Sequence, residues 1–142
     1  MAAGHIEAID HTIQTTNIWL NELDEAIGWN HRQRSYRLLR AVLHALRDLM
    51  PVNEATDLGA QLPLLIRGIY YEGWRPAATP VKLRGLDDFL AVIDKSFTTD
   101  PIADSKAAVR AVFALLAAKV SAGEIGDVRH VLPKAIRDLW PE

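Results

Sequence analysis

Apolar residues along the chain recur at spacings of three and four, and alternating apolar runs are absent. Ile9, Ile13, Leu20, Leu23 and Ile27 mark the first such stretch, with Trp19 beside Leu20 widening the face. Thr12, Thr15, Thr16 and Asn17 are poor helix-interior residues and good caps. The pattern therefore predicts a loose arm over residues 1–8, a short turn, and a helix over about 16–27 that closes at Gly28. A second helix over about 33–49 carries Tyr36, Leu39, Val42, Leu43, Leu46 and Leu49 on one face, with Arg34, Arg37, Arg40 and Arg47 mostly on others. Pro51 stops it, and Asn53 is placed to cap a short helix over about 54–61. Pro63, tolerated only in a first turn, opens a fourth over about 63–72 that stops at Gly73.

Residues 75–84 hold two prolines and no periodicity, which marks a connector. Beyond it a fifth helix is expected over about 86–97 and a sixth over about 101–120, the latter with Asp100 as N-cap and Pro101 in its first turn. Ser121 and Glu124 have capping-box spacing and open a seventh helix, about 122–130. Pro133 opens an eighth that ends at Trp140-Pro141.

These elements fall into two copies. Setting each residue against the one seventy positions later aligns Leu20 with Leu90, Asp24 with Asp94, Ser35 with Ser105 and Arg40-Ala41-Val42 with Arg110-Ala111-Val112. It also aligns Glu54 with Glu124, Asp57 with Asp127, Leu62-Pro63 with Leu132-Pro133 and Ile66-Arg67 with Ile136-Arg137. The fold class is thus all-α: a helical bundle of two similar four-helix repeats, each long, long, short, short. They span about 9–74 and 85–141 within a single domain, 1–142, since four-helix units this small bury little apolar surface alone. Residues present in both copies are read as serving the fold. Glu54 and Glu124 are first-turn carboxylates favouring the helix dipole, and Asp57 or Asp127 is placed to pair with Arg67 or Arg137.

Composition removes several function classes. No cysteine means no disulfide, thiolate chemistry or cysteine-based metal site. A formal charge of −2 gives no general attraction to nucleic acid, which is disfavoured as a partner. No signal peptide and no run long enough to span a bilayer are present, so a soluble cytoplasmic protein without a membrane partner is expected. The five histidines form no metal motif, and no nucleophile turn or phosphate loop occurs. Neither catalytic, cofactor-binding nor metal-ligating residues are identified, and no cofactor is expected.

Two clusters break the repeat. The run His31 to Arg40 supplies a candidate basic patch, Arg32, Arg34 and Arg37, whose alternative is a solvated face partly neutralised by Glu22, Asp24 and Glu25. Tyr70, Tyr71, Trp74 and Arg75 form a candidate partner or ligand surface, because aromatics and arginine are enriched in interfaces. The alternative is that these aromatics wedge the two halves together.

The stretch Ala60 to Trp74, with Arg40-Ala41-Val42-Leu43 upstream and Ser121-Ala122-Gly123-Glu124 and Leu132-Pro133 downstream, resembles the bacterial domain-of-unknown-function family 2267 over essentially the whole chain. Residues 9–16 look like the N-terminal extension of a subgroup. The resemblance implies a prokaryotic, helical, duplicated protein and brings no activity, cofactor or catalytic residue. The expected function is a non-enzymatic protein-interaction or scaffold module with an unidentified protein partner. A carrier of an apolar small molecule between helices is the alternative, and an enzyme with a site at the repeat interface a third reading. Self-association stays open through any leftover apolar helix face.

Overall fold

A computed structural model describes residues 4–142, and every regular element in them is helical. The α-helices are α1 (Glu7–Ile27), α2 (Arg32–Leu49), α3 (Val52–Gln61), α4 (Leu64–Tyr71), α5 (Leu86–Asp94), α6 (Ser105–Lys119), α7 (Ala122–Val131) and α8 (Lys134–Arg137). Short 3-10 turns cover Pro76–Ala78 and Lys95–Phe97. Helix α2 is the hub: α1, α4, α5 and α6 all pack on it, while α3 crosses α7 and α8 lies on α5. Its fully buried Leu38, Val42, Leu43 and Leu46 join Leu23, Phe89, Ile93, Val112, Phe113 and Leu116 in one continuous core.

Positions seventy apart make matching bonds. The Ser35 hydroxyl donates to the Asp24 carboxylate, and the Ser105 hydroxyl to that of Asp94. The Arg67 guanidinium donates to the carbonyls of Gly59, Ala60 and Leu62, and that of Arg137 to the carbonyls of Arg129 and Leu132. These last contacts correct the expected pairing with Asp57 or Asp127. Leu62 and Leu132 leave the helical conformation ahead of a proline, so the carbonyls at the ends of α3 and α7 lack intrahelical donors, and the arginine fork supplies them.

Three predicted helix starts move. α1 begins at Glu7, ahead of the expected turn, because its threonines are satisfied without breaking the helix: the Thr16 hydroxyl donates to the Thr12 carbonyl at 2.7 Å. α3 starts at Val52 after Pro51, so Asn53 lies inside it and is not its cap. α6 starts at Ser105, where the Asp104 carboxylate accepts from the Ala107 N–H at 3.0 Å. Asp100 was the expected cap, but its carboxylate is held by two arginines of α2, which leaves Pro101 outside the helix. The fifth helix ends early, its last turn tightening to 3-10 at Lys95–Phe97. Gly28 closes α1 with φ of 76°, and the Ser121 hydroxyl caps α7 through the Glu124 N–H, both as expected.

Candidate functional site

The candidate basic patch is largely consumed by internal contacts. Arg37 donates to both carboxylate oxygens of Asp100, at 2.7 and 2.8 Å, and Arg34 donates to Oδ2 and to the backbone carbonyl of the same residue, both at 2.7 Å. The Arg34 guanidinium also lies 4.5 Å from the Trp29 ring centre, and that of Arg37 lies 4.7 Å from that of Phe97. This fork holds the Asp100 carboxyl below its ordinary range and Arg37 above its own, the shared hydrogen bonds being the main cause in each. Arg34 and Arg37 therefore fasten the segment before α6 onto α2. Arg32 alone stays exposed, donating to the Asn17 side chain at 3.0 Å.

The aromatic cluster divides. Tyr70 is fully buried, and its hydroxyl donates to the Ala55 carbonyl at 2.7 Å, which takes it out of any surface. Burial pushes its phenol well above the ordinary range. Tyr71 and Trp74 are half-buried and stack at 5.3 Å. The Tyr71 ring lies over Gly59, where a Cβ would meet Tyr71 Cζ at 2.6 Å, so glycine is what admits the ring there. Arg75 is exposed and precedes the turn at Pro76.

Tyr71 opens onto a feature that neither cluster marks. Ile9, Thr12 and Ile13 of α1, Tyr36 of α2, and Leu64, Leu65, Gly68, Ile69, Tyr71 and Glu72 at α4 line an open groove of about 770 Å³. Four of its walls are large apolar side chains left in solvent: Leu64 is 56% exposed, Ile9 and Ile13 46% each, and Leu65 40%. Water-exposed apolar surface gathered in one place marks interaction sites, whereas scattered residues do not. Gly68 is an exposed part of the lining, and a Cβ built there meets nothing within 4 Å.

The sequence also explains how the two walls are joined. α4 begins after Pro63, whose side chain offers its first N–H groups no acceptor. Thr12, buried on α1, takes that role, its hydroxyl accepting from the Leu65 N–H at 2.9 Å. At the other end His44 of α2 bonds the Ile69 carbonyl at 2.7 Å, and burial holds its imidazole below its ordinary pKa. The Arg47 guanidinium donates to the carbonyls of Tyr70 and Glu72, at 2.8 and 2.9 Å. Arg40 pairs with the Glu72 carboxylate at the rim, and their hydrogen bonds keep that carboxyl below its ordinary range. The expectation that Arg47 lies off the core-facing side is corrected, since its side chain is buried.

One difference between positions seventy apart coincides with this groove. Seventy positions on, Leu64 and Leu65 become Lys134 and Ala135, and Gly68 becomes Asp138. Large apolar residues at these positions thus stand opposite a lysine, an alanine and, for the glycine, an aspartate.

Among the described residues, the one grouping of metal-ligand types is Glu54, Asp57 and Glu124, with one carboxylate oxygen from each lying within 4.8 Å of the others. It sits where α3 crosses α7, away from the groove walls. No helix of the described residues is long and apolar enough to cross a membrane.

The described residues form an all-helical bundle built on α2, with an apolar groove open between α1 and α4. The chain belongs to the family described as "Uncharacterized conserved protein (DUF2267)", whose model matches residues 16–139. Ile9, Thr12 and Ile13, which form the α1 wall, precede the matched region. No curated protein matches the chain.

Proposed function

We propose that the protein is an interaction module that takes an amphipathic helix of a protein partner into the groove between α1 and α4. The observation that carries this reading is the exposed wall of Ile9, Ile13, Leu64 and Leu65 gathered along one open groove. A helix laid in such a groove anchors through apolar residues at i, i+3 or i+4, and i+7. Ile9 and Ile13, four apart on α1, offer one side of a seam of that spacing. A carrier of small apolar molecules would enclose most of its ligand, and an open groove serves that purpose less well. The reading includes a duplicated four-helix unit in one domain, supported by the matching Asp–Ser and arginine–carbonyl bonds of positions seventy apart. Under it, one copy kept the groove and the other lost it.

A photo-crosslinking amino acid in place of Leu64, expressed in the native host, tests this. The expected result is one dominant protein adduct whose linked peptide carries apolar residues at helical spacing. Adducts no stronger than those from the same probe at exposed Ala114 on α6 would remove the groove from the account. An adduct at the mass of a lipid or small molecule would transfer the groove to the carrier reading.

A further inference from the structure

The three carboxylates at the α3–α7 crossing pose an electrostatic problem of their own. Glu54 comes from the first turn of α3 and Glu124 from the first turn of α7. Each turns one carboxylate oxygen, Oε2, out of solvent and away from any hydrogen-bond donor among the described residues. Asp57 completes the trio within 4.8 Å. None of the ion pairs among the described residues includes Glu54, Asp57, Glu124 or Asp127. Two carboxylates this close in a partly dry site do not both ionise readily.

We propose that Glu54 and Glu124 share one proton across the α3–α7 crossing, forming a pH-sensitive clasp between the two halves of the chain. In the closed form one carboxylic acid donates its O–H to the other's carboxylate. Loss of that proton to solvent base leaves two facing carboxylates, with no cation to offset them.

The acidic groups packed around the pair act in one direction, against the pull of the α3 and α7 N-termini toward the charged form. Asp57 faces it from α3 and Asp127 from α7 itself, both acidic, and the Tyr70 phenol approaches from α4. Lys119, at the end of α6, which packs on α7, is bonded to Glu22 of α1. Burial first, and then Glu54, raise the Glu124 carboxyl to about 8. Its unfolded value is the ordinary 4.5, so between the two the folded chain holds a proton that the unfolded chain has released. The clasp's contribution is therefore whole below the unfolded value and is lost as pH rises through the folded one. His44, whose burial favours the neutral ring, has the opposite sign and acts below about 6.5, which leaves the higher window to the carboxyl pair.

The test is thermal unfolding of the full chain in buffer containing EDTA. From pH 6.5 to 9 the wild-type Tm should fall by about 3–6 °C. Glu124→Gln, whose amide supplies the hydrogen bond without a titrating proton, should flatten that dependence and match or exceed the wild type at pH 9. Glu54→Gln should do the same. Carbon-detected NMR of the glutamate carboxyls, which needs no variant, should show one group titrating several units above the others. A wild-type Tm that stays level across this range, an unchanged slope in both variants, or glutamates that all titrate in the ordinary range would overturn the clasp.

Discussion

Replacing Phe113 by alanine is expected to lower stability by about 3–5 kcal/mol. The side chain is fully buried on α6, stacked on Trp140 with ring centres 4.1 Å apart and tilted against Phe89 at 6.3 Å. Phe113 therefore ties α6 to α5 and to the C-terminal end of the chain, and its removal leaves a void edged by rigid rings. Against a total stability of roughly 5–15 kcal/mol for an ordinary domain, the loss should show as a Tm lower by ten degrees or more. Urea unfolding followed by far-UV circular dichroism checks it: the midpoint should drop with little change in slope. A fall below about 1 kcal/mol would mean that the core at this point is looser than a stacked ring pair allows.

The second large effect is expected at Arg47, a residue whose charge hides a structural role. Its guanidinium is nearly closed off from solvent and donates to Asp48 at 2.8 Å as well as to the two carbonyls that end α4. Methionine fills similar volume but offers no donor, so those carbonyls lose their partners. Charge-assisted bonds of this kind contribute about 1.5–3 kcal/mol each, and partial hydration offsets some of it, giving a net loss of about 2–4 kcal/mol. Arg47→Lys should recover only part, because one ammonium cannot reproduce a planar fork aimed at three oxygens. Denaturant midpoints of the two variants check both statements, and equal stability of the lysine variant and wild type would contradict the fork.

The contrast between these residues shows what was legible in the sequence. Phe113 sits on an apolar helical face, and apolar periodicity alone places it in the core. Arg47 occupies a position that periodicity calls polar, and only the end of a different helix explains why it is buried. The same reasoning separates the helices that were well located from those that were not. α2 and α7 are bounded by local chemistry, Pro51 after one and Ser121 before the other, and sequence reading locates both closely. The start of α1 and the cap of α6 were misplaced because distant partners decide them. Thr12 serves α4 instead of interrupting its own helix, and Asp100 is drawn off by Arg34 and Arg37.

The candidate site was legible only in part. Tyr71 was marked by its aromatic neighbours, yet Tyr70 beside it is core, since a rotation of one residue along a helix turns a side chain by about 100°. Ile9 and Ile13 continue the apolar spacing of the first helix, and nothing local says that they stay exposed. Leu64 and Leu65 likewise fit the apolar pattern of the fourth helix. Apolar residues at an open surface carry the same local signature as core ones, and the difference the sequence offers is Lys134 and Ala135 seventy positions on.

The groove is the central claim, and filling it without disturbing the fold tests it most directly. Gly68→Phe projects a ring into space that no atom occupies within 4 Å of the new Cβ, at a helical position where the substitution itself is not strained. In cells carrying the crosslinker at Leu64, the partner adduct should fall at least tenfold with this second change, while the Tm stays level or rises. An adduct of undiminished yield from a stably folded Gly68→Phe protein would contradict the account.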